Sequence, residues 1–214
     1  MVETLGIRHS RIANNRSNWF KKNLRLLNKK NNLHSSRNAN IIGIMKGQDV
    51  LVLLKLVVIG GREFRIHALA RELGISASEL SSSIRRSIIA GLIDPVDRGC
   101  IRPALLEFML HGFRYVFPVK PGGLTRGMPT AHSAPPLKGK IASKIDFVWP
   151  LPRGPSRGQA IKPIYKSAPI AAQNDRTLYK LLALADALRV GLTRERNMAS
   201  EILKEMIMGE IPWT

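Results

Sequence analysis

Apolar and polar positions alternate along this chain in three distinguishable ways. From Asp49 to Ile59 the run DVLVLLKLVVI is apolar on most sides and stops at Gly60-Gly61, which predicts a buried helix. It is about ten residues long and contains Lys55, whereas spanning a bilayer takes about 20. Further on, Ala68 to Leu73 reads as a short amphipathic helix closed by Gly74. Leu80, Ile84 and Ile88 then recur every four residues, with Ser78, Ser82, Arg85 and Arg86 on the opposite side. Near the C-terminus Leu178, Leu181, Leu182, Ala185 and Leu188 form one apolar stripe and Met198, Ile202, Leu203 and Met206 another. Together they predict a helical hairpin, its first helix capped by Asn174 or Asp175 and stopped at Gly191, its second capped by Thr193 and running from Arg194 to Met208.

Between these regular parts the pattern is weaker. Phe64-Arg65-Ile66 suggests a brief strand. Pro103 opens a helix that Gly112 would end, and Phe113 to Phe117 reads as a strand. From Pro118 to Pro169 prolines and glycines recur every few residues and exclude regular helix over most of the stretch. Short strands are expected at Asp146 to Trp149 and Ala160 to Tyr165. The aromatic residues retained here, Phe113, Tyr115, Phe117, Trp149 and Tyr165, point to an ordered, loop-rich module rather than a solvated linker.

The turn at Gly74-Ile75-Ser76 joins two helices. Ser76 is placed to cap the second, and Glu79 three residues later completes a capping box. Two short helices joined by a glycine-containing turn, the second presenting hydroxyls and guanidiniums, make a helix-turn-helix. ALARELGISASELSSSIRR followed by AGLI resembles the winged helix-turn-helix transcriptional regulators of the bacterial MarR and ArsR kind, over roughly Gln48 to Ile101, about a quarter of the chain. The resemblance implies that helix 77–90 enters the major groove of double-stranded DNA and that the protein is a homodimer; the single cysteine, Cys100, suits a reducing, cytoplasmic setting. Asp94 to Ile101 takes the place of the wing, with Arg98 at its tip between Pro95 and Gly99. The DNA-binding residues implied are Ser76, Ser78, Ser81, Ser82, Arg85, Arg86 and Arg98. In this reading Ser76 and the backbone around it hold a phosphate through the helix dipole.

Charge strengthens the case for a polyanionic partner. Lysine and arginine number 34 against 15 acids, a formal net charge of +19. Residues 1–44 hold nine basic residues and one acid, and read either as a basic arm or as an upstream extension ahead of a start at Met45. From Arg102 to Ala160 there are nine basic residues against Glu107 and Asp146. Lys120, Arg126, Lys138, Lys140, Lys144, Arg153 and Arg157 would track DNA phosphates, form a solvated surface, or meet an acidic protein.

Other chemistries find little in the residues. Pro121 to Gly127 is glycine-rich but lacks the Gly-Lys-Ser/Thr ending of a phosphate loop. His132 and Ser133 are chain neighbours without a nucleophile elbow or an identifiable acid partner. The five histidines show no metal-ligand spacing, and the single cysteine, Cys100, excludes an internal disulfide. The expectation is therefore an α+β protein, mainly α, non-enzymatic and without cofactor. Its segments are the basic 1–44, a winged helix-turn-helix at 45–112, a Pro/Gly-rich module with short strands at 113–170 and a helical hairpin at 171–214. An antitoxin or accessory protein that binds a partner such as a toxin and autoregulates its own operon is the alternative.

Overall fold

A helix that is apolar on every side must be surrounded, and helix α1 (Gly47–Ile59) is: Val50 through Leu54, Leu56 and Val57 are all buried. The computed structural model describes residues 45–141, 143 and 145–209; the segment 1–44 and Lys144, both named above for their charge, lie outside them. Over the described residues the fold is α+β and mainly helical. Helix α1 packs against the helices at Ala77–Ile89 and Arg176–Val190, and its one lysine, Lys55, is neutralised by Glu72 at 2.9 Å and Asp175 at 2.8 Å.

Helix α2 (Ile66–Leu73) ends on Gly74, whose φ of 63° is the left-handed conformation that a residue without Cβ adopts freely. The brief strand expected at Phe64 to Ile66 does not form, and Ile66 is instead the first residue of α2. Helix α3 (Ala77–Ile89) starts after Ser76 and buries Leu80, Ser83, Ile84 and Ser87. The chain then reverses through 94–99, and Ile93 and Cys100 form an isolated antiparallel bridge.

Helix α4 (Arg102–Glu107) begins with Pro103 in its first turn, but Gly112 does not stop it. The chain passes through a π-helical turn (Phe108–Gly112) straight into α5 (Phe113–Val116), so the strand expected at 113–117 is helical. The cause is a stripe that crosses the glycine: Leu105, Met109 and Phe113 are buried at four-residue spacing, and the Phe113 ring sits 5.6 Å from that of Phe117. Gly112 has φ of −109°, outside the left-handed region, and makes no terminating cap.

Three short strands follow: β1 (Leu124–Pro129), β2 (Phe147–Pro150) and β3 (Ser156–Ala160). β1 runs antiparallel to both others, while β2 and β3 pair in parallel through Phe147–Gln159 and Val148–Ala160, closing a three-stranded barrel. The strand expected at 146–149 is present one residue displaced. The one expected at 160–165 is corrected to 156–160, and the Pro163 region carries none. β1 runs through a glycine-rich stretch that gave no strand signal.

The C-terminal part holds α6 (Ala168–Asn174), α7 (Arg176–Val190) and α8 (Thr193–Met208). Asp175 caps α7 by accepting from Leu178 N at 2.9 Å, as its position suggests. The cap of α8 differs from expectation: Thr193 is already helical, Leu192 is the cap residue, and the Glu195 carboxylate accepts the Leu192 N–H at 3.0 Å. Residues 181–188 of α7 are buried on every side, and one hydrophobic core draws on α1, α3, the barrel and the α7–α8 hairpin together.

Candidate nucleic-acid interface

On α3 the residues named for base contact separate into two groups. Ser78, Ser81 and Arg85 are exposed and Ser82 is half-buried, on the side away from Leu80 and Ile84. The Ser81 hydroxyl donates to the Ala77 carbonyl one turn back at 2.9 Å. Arg86 stands apart from this exposed group. Its Nε donates to Asp49 Oδ2 at 2.8 Å and its Nη2 to Asp49 Oδ1, while Ser83 Oγ donates to the same Oδ1 at 2.7 Å. Asp49 is fully buried, and its Oδ2 also accepts the Lys46 N–H at 2.8 Å. Arg86 therefore fastens α3 to the start of α1, and its assignment as a base reader is corrected.

Ser76 forms the capping box that its position predicts. Its hydroxyl accepts from Glu79 N at 3.1 Å and donates to Glu79 Oε2 at 2.9 Å, and its own N–H donates to that oxygen at 2.9 Å. These bonds from the Ser76 backbone and hydroxyl hold the Glu79 carboxyl below its ordinary range, and Tyr165 Oη donates to Oε1 at 3.3 Å. A carboxylate thus occupies the positive end of α3, where a phosphate was expected.

The short reversal after α3 is built by backbone pairing. Asp94 N donates to Gly99 O and Arg98 N to Asp94 O, both at 2.9 Å, which places Arg98 at the tip with φ of 58° and its side chain in solvent. Lys120, Arg126, Lys138 and Lys140 are all exposed: Lys120 before β1, Arg126 within it, and Lys138 and Lys140 in the turns that follow residues 131–133.

A second polar cluster, inside the protein, was missed in the sequence. Asp186 projects from the middle of α7 and is 2% exposed. Its Oδ2 accepts from Thr130 Oγ1 at 2.8 Å and Trp149 Nε1 at 2.6 Å, its Oδ1 from Arg189 Nη1 at 2.7 Å. Burial pushes this carboxyl above its ordinary range, against the opposing pull of the Arg189 charge and the three donors. Arg189 also donates to the carbonyl of Phe117 at 2.8 Å. Both carboxylate oxygens are engaged by side chains of the protein itself, so the cluster clamps the barrel to α7. The available signal was an aspartate inside an apolar stripe with an arginine three residues on.

His132 and Ser133 do not face each other for catalysis. Ser133 Oγ accepts from Phe147 N at 2.8 Å, and His132 Nε2 pairs with the Ile145 carbonyl at 3.1 Å, its ring 4.7 Å from that of Phe147. Cys100 is largely buried, and burial pushes its thiol up to about 12. Among the described residues no three His, Cys, Asp or Glu side chains are grouped as metal ligands would be, and no helix is long and apolar enough to cross a membrane. No family model, curated protein or solved structure matches this chain.

Proposed function

We propose that this protein is a sequence-specific double-stranded DNA-binding transcriptional regulator with a winged helix-turn-helix, and that α3 lies in the major groove. The observation that carries the reading is the exposed row Ser78, Ser81 and Arg85 on a helix whose opposite side is anchored in the core. Arginine on such a helix grips guanine O6 and N7 through two parallel bonds, and serine hydroxyls serve either bases or phosphates. Locking α3 at both ends, by the Ser76–Glu79 box and by the Arg86–Asp49 pair, gives a reading helix the fixed orientation that base discrimination demands. Arg98 on the short reversal reaches a flanking phosphate or the minor groove, as a wing does. The formal charge of +19 supplies the non-specific attraction to the duplex.

The test is selection of binding sequences from a random duplex pool by the full chain, followed by gel shift with the selected duplex. Arg85→Ala is expected to weaken specific binding by roughly 1–3 kcal/mol and to relax preference at one base position. Recovery of no preferred sequence, or equal affinity of Arg85→Ala and the parent, overturns the reading.

A further inference from the structure

The barrel places two arginines directly opposite each other. Arg126 on β1 and Arg157 on β3 are register partners in an antiparallel pair, and both side chains are exposed. Like charges facing across strands destabilise a sheet. Among the described residues no Asp or Glu side chain forms an ion pair with either arginine, exposed Asp146 beside β2 included. Arg153, in the turn joining β2 to β3, is exposed and unpaired too. The adjoining pair along the same side of the sheet is Leu124 and Gln159, so the charged ridge is two arginines wide, with exposed Lys120 ahead of β1.

We infer that the Arg126–Arg157 ridge is a second nucleic-acid contact that grips backbone phosphates irrespective of sequence. In its choice of nucleic acid as the anion it rests on the function proposed above. Guanidiniums offer planar, forked donors that match phosphate oxygens, and one phosphate between two arginines offsets their mutual repulsion. A narrow ridge suits a single line of phosphates better than the broad face of an acidic protein. Division of labour follows: α3 discriminates sequences while the barrel adds affinity that salt weakens.

The experiment is fluorescence anisotropy of the full chain on a labelled mixed-sequence duplex across a potassium chloride series. Each phosphate contact contributes about 0.9 to the slope of log affinity against log salt. Arg126→Ala/Arg157→Ala is expected to flatten that slope by roughly 2, and Arg126→Lys/Arg157→Lys to keep it. Discrimination between selected and scrambled duplexes stays unchanged in the double alanine variant and falls in Arg85→Ala. A flattened slope with no effect of Arg85→Ala keeps the ridge and removes the α3 reading; an unchanged slope with lost discrimination in Arg85→Ala does the reverse. Loss of poly-glutamate binding with an unchanged duplex slope would assign the ridge to an acidic protein and overturn the inference. The double alanine variant loses no acidic partner and is expected to melt no lower than the parent. Should it melt early, Arg157→Gln alone decides, with an expected flattening of about 1.

Discussion

Arg86 on α3 forms a two-point ion pair with the fully buried Asp49 on α1, and Ser83 adds a third bond to the same carboxylate. Asp49 also caps its own helix through the Lys46 N–H, so a single side chain joins two helices and terminates one. Removing one partner of such a pair leaves an uncompensated charge inside the protein, which costs about 3–5 kcal/mol. Asp49→Ala and Arg86→Ala are each expected to lower stability by that order in urea unfolding. The double variant should lose clearly less than the sum, because neither charge is then stranded. Arg86→Ala should also retain the sequence preference of the parent at a temperature where it is folded. Undiminished stability of Arg86→Ala combined with lost preference would return Arg86 to the base-reading set.

The Asp186 cluster predicts a graded pair of effects. Trp149→Phe preserves most of the ring, which lies 5.9 Å from Tyr179, but removes the Nε1 donor to Asp186 Oδ2. Loss of a hydrogen bond to a charged acceptor costs about 1.5–3 kcal/mol. Asp186→Ala strands Arg189, whose side chain is only 5% exposed, and should cost more, about 3–5 kcal/mol. Because Thr130, Trp149 and Phe117 all reach this cluster, the near-ultraviolet circular dichroism of the barrel tryptophan should change in Asp186→Ala. Equal stability of Asp186→Ala and Trp149→Phe would show that Arg189 finds another partner and that the cluster is not the clamp.

What could be read from the sequence is what is decided within one turn of chain. Gly74, the Ser76–Glu79 box and the Asp175 cap are settled by bonds that span three or four residues, and each stands where the pattern puts it. Arg86 was misplaced because a polar residue on a helix is counted as facing outward, and the carboxylate that turns it inward lies 37 residues away. Asp186 was passed over for the same reason: its Thr130 and Trp149 partners are 56 and 37 residues distant. Gly112 reads locally as a stop, but the four-residue stripe through Met109, Phe113 and Phe117 runs past it, and tertiary burial outweighs the local signal. The exposed candidates Ser78, Ser81 and Arg85 followed directly from periodicity, since an anchored amphipathic helix leaves its other side in solvent.

Cys100 allows a chemical check on the packing of the reversal after α3. Its thiol is pushed up from 9.0 to about 12 because burial disfavours the thiolate, and the Arg102 charge opposes this. Each unit lowers the thiolate fraction tenfold, so near neutral pH the native thiol should react with a disulfide reagent roughly a thousandfold more slowly than the same cysteine in denaturant. The folded group holds its proton more tightly than the unfolded one. Its contribution to stability is therefore complete below about 9 and is lost as pH rises through about 12. A native rate within a few-fold of the unfolded rate would mean that the Ile93–Cys100 bridge opens freely.

Two glycines in one glycine-rich stretch should respond oppositely to the same substitution. A Cβ on Gly127 would lie 2.0 Å from the Trp149 carbonyl oxygen and 2.8 Å from its carbon, both backbone atoms that cannot move without parting β1 from β2. Gly127→Ala is therefore an overpacking change against main chain and is expected to cost at least about 1–3 kcal/mol. Four residues earlier the chain passes Gly123, where a Cβ meets nothing within 4 Å and φ is not positive. Gly123→Ala removes backbone freedom from the unfolded chain without a clash and should be neutral or stabilising by up to about 1 kcal/mol. Urea unfolding of the two variants side by side distinguishes a glycine required by strand approach from one that is merely tolerated. Equal and small effects at both positions would mean that the barrel has room at Gly127, and that the closure of β1 on β2 and β3 is looser than the register implies.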